Sequence, residues 1–162
     1  MINFLEGKFY NPTCGNLEFN EMIKEITNYV AKRPEKFYDI IVGCDSSSEE
    51  EPNFPLAVVI LRKGEGGRFF LKKIHYSRKF YGWRQRILEE VLLSCELALY
   101  LREVLNKEVS LSFNWQFRYI HADIGENGAT RDMIKEVTGL IRGNGFEPMI
   151  KPESFAASTV AD

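Results

Sequence analysis

Three apolar segments joined by short polar turns, followed by a long helical period, constrain this chain more than any single motif. The first, Tyr38-Asp-Ile-Ile-Val-Gly-Cys44, is a short apolar run ending in Asp45 and reads as a buried strand. The polar turn Ser46-Ser-Ser-Glu-Glu-Glu-Pro-Asn53 leads to Leu56-Ala-Val-Val-Ile-Leu61, a second strand rich in β-branched residues. Lys63-Gly-Glu-Gly-Gly67 is a strong turn signal, and Arg68 to Tyr76 carries Phe69, Phe70, Leu71 and Ile74 into a third strand. Strands joined by such short turns pair as an antiparallel meander.

The second half alternates helix and strand. From Trp83 to Leu105, Ile87, Val91, Ser94, Ala98 and Leu101 fall on one helical face, and Asn106-Lys107 ends the period. Phe117-Arg-Tyr-Ile-His-Ala122 is a fourth strand, ending in Asp123. Gly128 or Thr130 opens a second large helix with the stripe Met133, Ile134, Val137 and Ile141, closed by Gly143-Asn-Gly145. Phe146 to Ile150 is a fifth strand, and Pro152 precedes a last short helix, Glu153 to Asp162. Ahead of all this, Asn20 is the expected cap of a leading helix with Met22, Ile23, Ile26 and Val30 on its apolar face, stopped by Pro34. Met1 to Gly15 is expected to drape over the rest.

A strand, helix and strand in series form a right-handed parallel crossover. Strand four then lies beside strand one and parallel to it, strand five extends that side, and the meander extends the other. The expected class is α/β: a five-stranded mixed sheet, antiparallel meander plus parallel strands, flanked by helices. With 162 residues, 44% of them hydrophobic, the chain is read as one domain. Residues 1–36 form an N-terminal extension and helix, and residues 37–162 the core.

Several function classes drop out. Cys14, Cys44 and Cys95 lack metal-ligand spacing and their odd number argues against a disulfide framework. His75 and His121 make no zinc site by themselves. No run reaches the length of a membrane span, and the first residues lack the pattern of a secretory leader, so a reducing cytoplasm is expected. The net charge of -2 makes the molecule as a whole no polyanion magnet.

Two acids then stand out. Asp45 ends strand one and Asp123 ends strand four; parallel neighbours bring both to one edge, with strands roughly 4.8 Å apart. Two carboxylates there repel unless a cation joins them, and oxygen ligands suit magnesium or manganese. Open α/β sheets also place their sites outside the carboxyl ends of strands. Either Asp alone is equally a common turn residue; their joint placement favours the site. Glu90 shares the apolar face of the long helix, where an unpaired charge is costly, and is the preferred third carboxylate over Glu89 and Glu96. It is equally read as an edge-of-stripe residue reaching water.

Between Arg62 and Arg86 there are nine Lys or Arg and one acid, Glu65, a local balance of +8 in 25 residues. Lys72, Lys73, Arg78, Lys79, Arg84 and Arg86 are the expected nucleic-acid contacts, interleaved with Phe69, Phe70, Tyr76, Phe80, Tyr81 and Trp83. Cations and rings together suit phosphate contact and base stacking. The competing reading is a solvated surface balanced by acids such as Glu49-Glu-Glu51.

Three blocks carry a family resemblance: Ile41-Val-Gly-Cys-Asp-Ser46; Ile120-His-Ala-Asp-Ile-Gly125 with Gly128-Ala-Thr130; and Lys151-Pro-Glu-Ser-Phe-Ala-Ala-Ser158 through Ala161-Asp162. With the order of elements, they make the chain resemble the ribonuclease H-like superfamily, and more closely the YkuK-like proteins, a bacterial family of unassigned function. The resemblance implies four carboxylates, at Asp45, Glu90, Asp123 and Asp162. It also implies a metal-dependent nuclease holding two Mg2+ or Mn2+ ions about 3.5–4 Å apart. Asp45 would bridge both ions, Glu90 and Asp123 would hold one, and Asp162 the other. His121, on the same strand face as Asp123, would shuttle a proton or contact phosphate, or be a hydrogen-bonded structural residue. Lys151, Ser154 and Thr130 are placed to approach phosphate at helix starts, with capping the simpler role for the last two. Two other classes compete: a module on the same scaffold that binds nucleic acid or protein and cuts nothing, and a phosphatase acting on a small phosphoester. Carboxylates that do not converge within metal-bridging distance, or a Lys or Arg filling the site, decide for binding; a closed narrow pocket favours the phosphatase, and an open groove beside Arg62 to Arg86 favours polymer substrates.

Overall fold

The structure, a computed structural model, describes residues 2–108 and 114–161. Its described strands join in one sheet. These are β1 (Phe9–Asn11), β2 (Gly15–Leu17), β3 (Phe37–Cys44), β4 (Asn53–Arg62), β5 (Gly66–His75), β6 (Asn114–His121) and β7 (Glu147–Met149), in the order β2-β1-β5-β4-β3-β6-β7. The helices are α1 (Phe19–Lys32), α2 (Trp83–Glu108) and α3 (Ile134–Gly143), with a 3₁₀ turn at Ala129–Met133 and a π-helical turn at Ala156–Val160.

β3 is the axis of the sheet. It pairs antiparallel with β4, Tyr38 opposite Arg62 and Cys44 opposite Leu56, and parallel with β6, Gly43 opposite His121. Being covered on both faces explains its continuous apolar run. Tyr38, Ile40, Val42 and Cys44 enter the large core shared with α1, α2 and α3, while Ile41 packs on the other face with Val59 and Ala156. Gly43 is required there: a Cβ on it would come within 2.6 Å of the Ala157 backbone nitrogen. Its bare backbone lets the C-terminal turn lie directly on the central strand.

The mixed sheet and flanking helices follow the order read from the sequence, with seven strands in place of five. Residues 2–8 lie over the fold as expected, with Ile2 N–H donating to Glu96 and Phe4 buried against Tyr100, but the residues after them form a hairpin. Tyr10 of β1 pairs opposite Leu71 of β5, so the β1–β2 hairpin extends the sheet. Helix α1 starts two residues before Asn20's expected cap position would allow, with Glu18 as cap and its N–H donating to Glu21 Oε1 at 3.0 Å. The second large helix begins as a 3₁₀ turn, and the last helix is a single π-helical turn within its expected span.

Candidate active site

Register alone places two acids together. Two residues beyond the Gly43–His121 pair, the parallel strands β3 and β6 reach Asp45 and Asp123. Both are held by backbone pairing that continues past the strands. Asp45 N–H donates to Pro55 O at 3.3 Å, and Ala122 N–H to Met149 O at 2.9 Å.

Glu90 joins them from α2. It lies two turns into that helix, on its buried face, with 7% of its surface exposed. Its Oε1 accepts from Ser46 N–H at 2.9 Å and from the Ser46 hydroxyl at 2.5 Å. The same Ser46 N–H donates to Asp45 Oδ1 at 3.0 Å. One N–H therefore lies between the Asp45 and Glu90 oxygens, which are no further apart than the sum of those two bonds. Burial pushes the Glu90 carboxyl up to about 8; the Ser46 hydrogen bonds oppose this, and the charges of Asp45 and Asp123 add to it. The helix rivals are engaged elsewhere. Glu89 accepts from Tyr76 Oη at 2.7 Å and faces Arg78 at 3.4 Å, and Glu96 accepts from Ile2 N–H at 3.2 Å. Ser46 is the partner that sequence reading missed; its only signal was adjacency to Asp45.

Asp123 has a different neighbour. Its Oδ1 is buried, and Lys151 Nζ stands 3.2 Å away without the alignment of a hydrogen bond. Lys151 N–H donates to Ile124 O at 2.8 Å, and the lysine stem lies over Gly125, where a Cβ would be 3.1 Å from Lys151 Cβ. Beside it opens a cleft of about 510 Å³ lined by Gly125, Glu126, Asn127, Ile150, Lys151 and Pro152.

His121 points under the C-terminal turn. It is buried, its Nδ1 accepts from Ala156 N–H at 3.1 Å, and its ring stands edge-on to Phe155 at 4.7 Å. Burial pushes its pKa down to about 4. It is thus a neutral imidazole with Nδ1 engaged in packing. Thr130 Oγ1 accepts from Gly125 N–H at 3.1 Å, a bond within the loop after Asp123. The Ser154 hydroxyl is buried and makes no hydrogen bond among the described residues, so it does not cap the turn that follows. Asp162, expected as the fourth carboxylate, lies outside the described residues.

The basic stretch divides. Arg62, Lys63 and Arg68 lie at the far end of β4 and β5, because Arg62 pairs opposite Tyr38 and Gly66. Lys72 is buried, its ammonium donating to Glu6 O and lying 5.3 Å from the centre of the Phe9 ring, so it is no surface contact for a phosphate. Lys73, Arg78, Lys79 and Arg84 are exposed and Arg86 half-buried. They follow the β5 end that pairs opposite Asn53 and Pro55, on the Asp45 edge. Arg78 lies 4.0 Å from the centre of the Phe80 ring and Arg84 4.8 Å from that of Trp83. Phe80 N–H donates to Glu50 O at 3.0 Å, tying this segment to the loop after Asp45. Tyr81 is 81% exposed.

Among the described residues no three His, Cys, Asp or Glu side chains are gathered closely enough to cage a metal. The donor types, though not their spacing, are those of a divalent-cation site. A buried glutamate beside two aspartates, with serine as its hydrogen-bond donor, needs a proton or a cation to be stable. Oxygen-only donors suit magnesium or manganese.

A family model described as ribonuclease H-like matches residues 21–162. An uncharacterized protein of Bacillus subtilis (strain 168), YkuK, is 29% identical over 162 residues, spanning 95% of this chain and 94% of that protein. No solved structure matches the chain. The chain belongs to the ribonuclease H-like family.

Proposed function

We propose that this ribonuclease H-like protein hydrolyses phosphodiester bonds of nucleic acid with a divalent cation held at Asp45, Glu90 and Asp123, joined by Asp162. The observation that carries the reading is the shared Ser46 N–H between Asp45 and Glu90. It ties two acids to one donor at the edge where β6 delivers a third. Magnesium or manganese at these oxygens would supply Lewis acidity toward a phosphoryl oxygen and a water nucleophile at neutral pH. Two ions are the arrangement that four carboxylates would serve.

The chain's own residues do the rest. Ser46 orients Glu90 and Asp45 through one backbone N–H, so a substrate does not have to organise them. Arg78, Lys79 and Arg84 flank the edge, paired with Glu89, Glu50 and Asp132, and would exchange those exposed partners for a phosphate backbone. Tyr81 and Trp83 offer ring faces for bases. His121 supports the turn that leads to Asp162.

A second reading has two observations behind it. Among the described residues no three His, Cys, Asp or Glu side chains gather closely enough to cage a metal, and Lys151 stands at Asp123, as a non-cutting, nucleic-acid-binding relative would show. The two readings separate in one assay. Purified protein is incubated with magnesium or manganese and with DNA, RNA and hybrid substrates. The nuclease reading expects cleavage that chelator and Asp45→Asn both abolish. Equal cleavage by wild type and Asp45→Asn, or binding without cleavage under every condition, would overturn it.

A further inference from the structure

We infer that the nucleic acid taken at this edge is single-stranded, with one unpaired base stacked on Tyr81. This rests on the proposed function for its polymer, nucleic acid, and does not depend on cleavage.

Tyr81 stands in the segment that joins β5 to α2, where the other rings are already engaged. Phe80 is buried, its ring 5.1 Å from that of Phe54 and 5.5 Å from that of Tyr76, with the Arg78 guanidinium 4.0 Å from its centre. Trp83 packs against the core and shares its ring with Arg84 at 4.8 Å. Tyr81 is 81% exposed, and among the described residues no ring or cation is stacked on it.

A lone exposed ring is ordinary on a protein surface. This one stands on a pinned backbone. Just before it, Phe80 N–H donates to Glu50 O at 3.0 Å, in the loop that follows Asp45. Tyr81 N–H itself donates to Gln85 Oε1 at 2.9 Å, which ties it to the first turn of α2. Gly82 turns the chain into that helix at φ +105°, where a side chain would be strained. Gln85 precedes Glu90 by five residues, about 7.5 Å of helix rise, so the ring's support belongs to the same end of α2 as the acids. A ring already held in place loses little freedom when a base covers it, and more of the stacking shows as affinity.

The charge around the ring suits a strand's phosphates. No acid occurs between Glu65 and Glu89 in the sequence. Lys79 and Arg84 flank Tyr81, and their partners Glu50 and Asp132 are exposed and stand at 3.4 and 3.8 Å. Surface pairs of that kind are weak enough for phosphates to displace. The base face decides the class of polymer. Inside a duplex each base is covered on both faces, and freeing one is costly. A single strand offers its base faces without that cost, and a ring beside a basic path is how such strands are held. The ring meets a face that DNA and RNA share, so strands of either kind fit.

Binding measured without cleavage tests this. The full chain is titrated against fluorescent DNA and RNA strands and against blunt duplexes of the same sequences, by anisotropy across a salt series, in chelator and in calcium. Wild type is expected to prefer single strands by about tenfold or more. Tyr81→Ala is expected to lose about 5–150-fold on single strands. It should change little on duplex and keep the salt slope, because the ring neutralises no phosphate. Tyr81→Phe keeps the ring and is expected to keep the preference. Gln85→Ala frees Tyr81 N–H while leaving the ring, and is expected to lose part of the same affinity. Blunt duplex bound as tightly as single strand by wild type, or single-strand affinity unchanged in both Tyr81→Ala and Gln85→Ala, overturns the inference and leaves the acidic site standing. Tyr81-dependent binding of single strands with no cleavage in Mg2+ or Mn2+ sustains the inference and overturns the nuclease reading alone. No strand or duplex bound by wild type overturns the nucleic-acid reading, and the inference with it.

Discussion

The two ends of β3 handle buried charge in opposite ways. At its start, Arg62 is nearly enclosed and fully answered: it donates to Tyr38 Oη at 3.0 Å and to Tyr29 O at 2.8 Å. It also stacks 4.1 Å from the centre of the Tyr29 ring and reaches Glu65 at 3.7 Å. Glu65 in turn meets Arg33 at 3.2 Å and Lys36 at 3.0 Å. At its far end, Asp45 and Glu90 share one N–H, and the buried Glu90 has more acids beside it. The same strand has a compensated cation beside one end and crowded anions beside the other. Compensated charge is what a fold retains for its own geometry. Crowded, buried acids cost stability in the bare protein, and that cost is explicable by a bound cation.

The largest expected effect sits at the acidic end. Asp45→Asn should reduce cleavage by about a thousandfold or more, beyond the roughly 10–100-fold typical of losing a group that only supports a metal ligand. Its unfolding midpoint in chelator should stay at or above that of wild type, because one of the crowded charges is gone. A matching loss of stability would show that Asp45 is structural and would break the contrast between the ends.

The cationic end should respond the other way. Arg62→Met removes the donor to Tyr38 Oη and Tyr29 O, while Glu65 keeps Arg33 and Lys36, and urea denaturation should show a loss of about 1–3 kcal/mol. Cleavage measured well below the unfolding temperature should be unchanged.

Acidity gives the third test. The Glu90 carboxyl stands at about 8 in the folded, metal-free protein against an ordinary 4.5. The folded state therefore holds a proton that the unfolded state releases earlier, and stability falls as pH rises. The contribution is fully present below pH 4.5 and lost by the time pH passes about 8. The loss is on the order of 3–5 kcal/mol at most. In chelator, Glu90→Gln should flatten this slope and overtake wild type in stability above pH 8. Parallel slopes in the two proteins would mean that Glu90 is not the crowded acid.

The smallest effects belong to the surface beside the site. Lys79→Ala or Arg84→Ala should each flatten the salt dependence of oligonucleotide binding by about one counterion. Tyr81→Ala should weaken single-stranded binding by about 1–3 kcal/mol, with Tyr81→Phe close to wild type. Fluorescence anisotropy across a salt series reads both.

Much of the compensated architecture was legible in the sequence, and only part of the crowded end was. The meander could be read because β3, β4 and β5 are long, apolar and joined by short turns. The start of α2 at Trp83 follows from its period. The parallel neighbours Asp45 and Asp123 follow from element order, since one crossover rule fixes which strand ends share an edge. β1 and β2 could not be read: Phe-Tyr-Asn and Gly-Asn-Leu have no alternation of their own and are strands only because β5 receives them. Glu90 could not be separated from Glu89 by period, because adjacent residues straddle the edge of a helical stripe; Tyr76 and Ser46 decide between them. The basic run looked continuous, yet a long antiparallel pair carries its two halves to opposite ends of the sheet. Lys151 reaches Asp123 from a loop, where no periodic signal exists.

The most direct test of the contrast is thermal unfolding of three proteins, wild type, Asp45→Asn and Arg62→Met, each in chelator and in excess Mn2+. An ion at about a hundred times its dissociation constant adds about 2.7 kcal/mol, or about 5–10 °C for a chain of this size. Wild type and Arg62→Met should both gain that shift, from different starting midpoints, and Asp45→Asn should gain none. Equal shifts in wild type and Asp45→Asn, or no shift in wild type, would contradict a cation site at the end of β3.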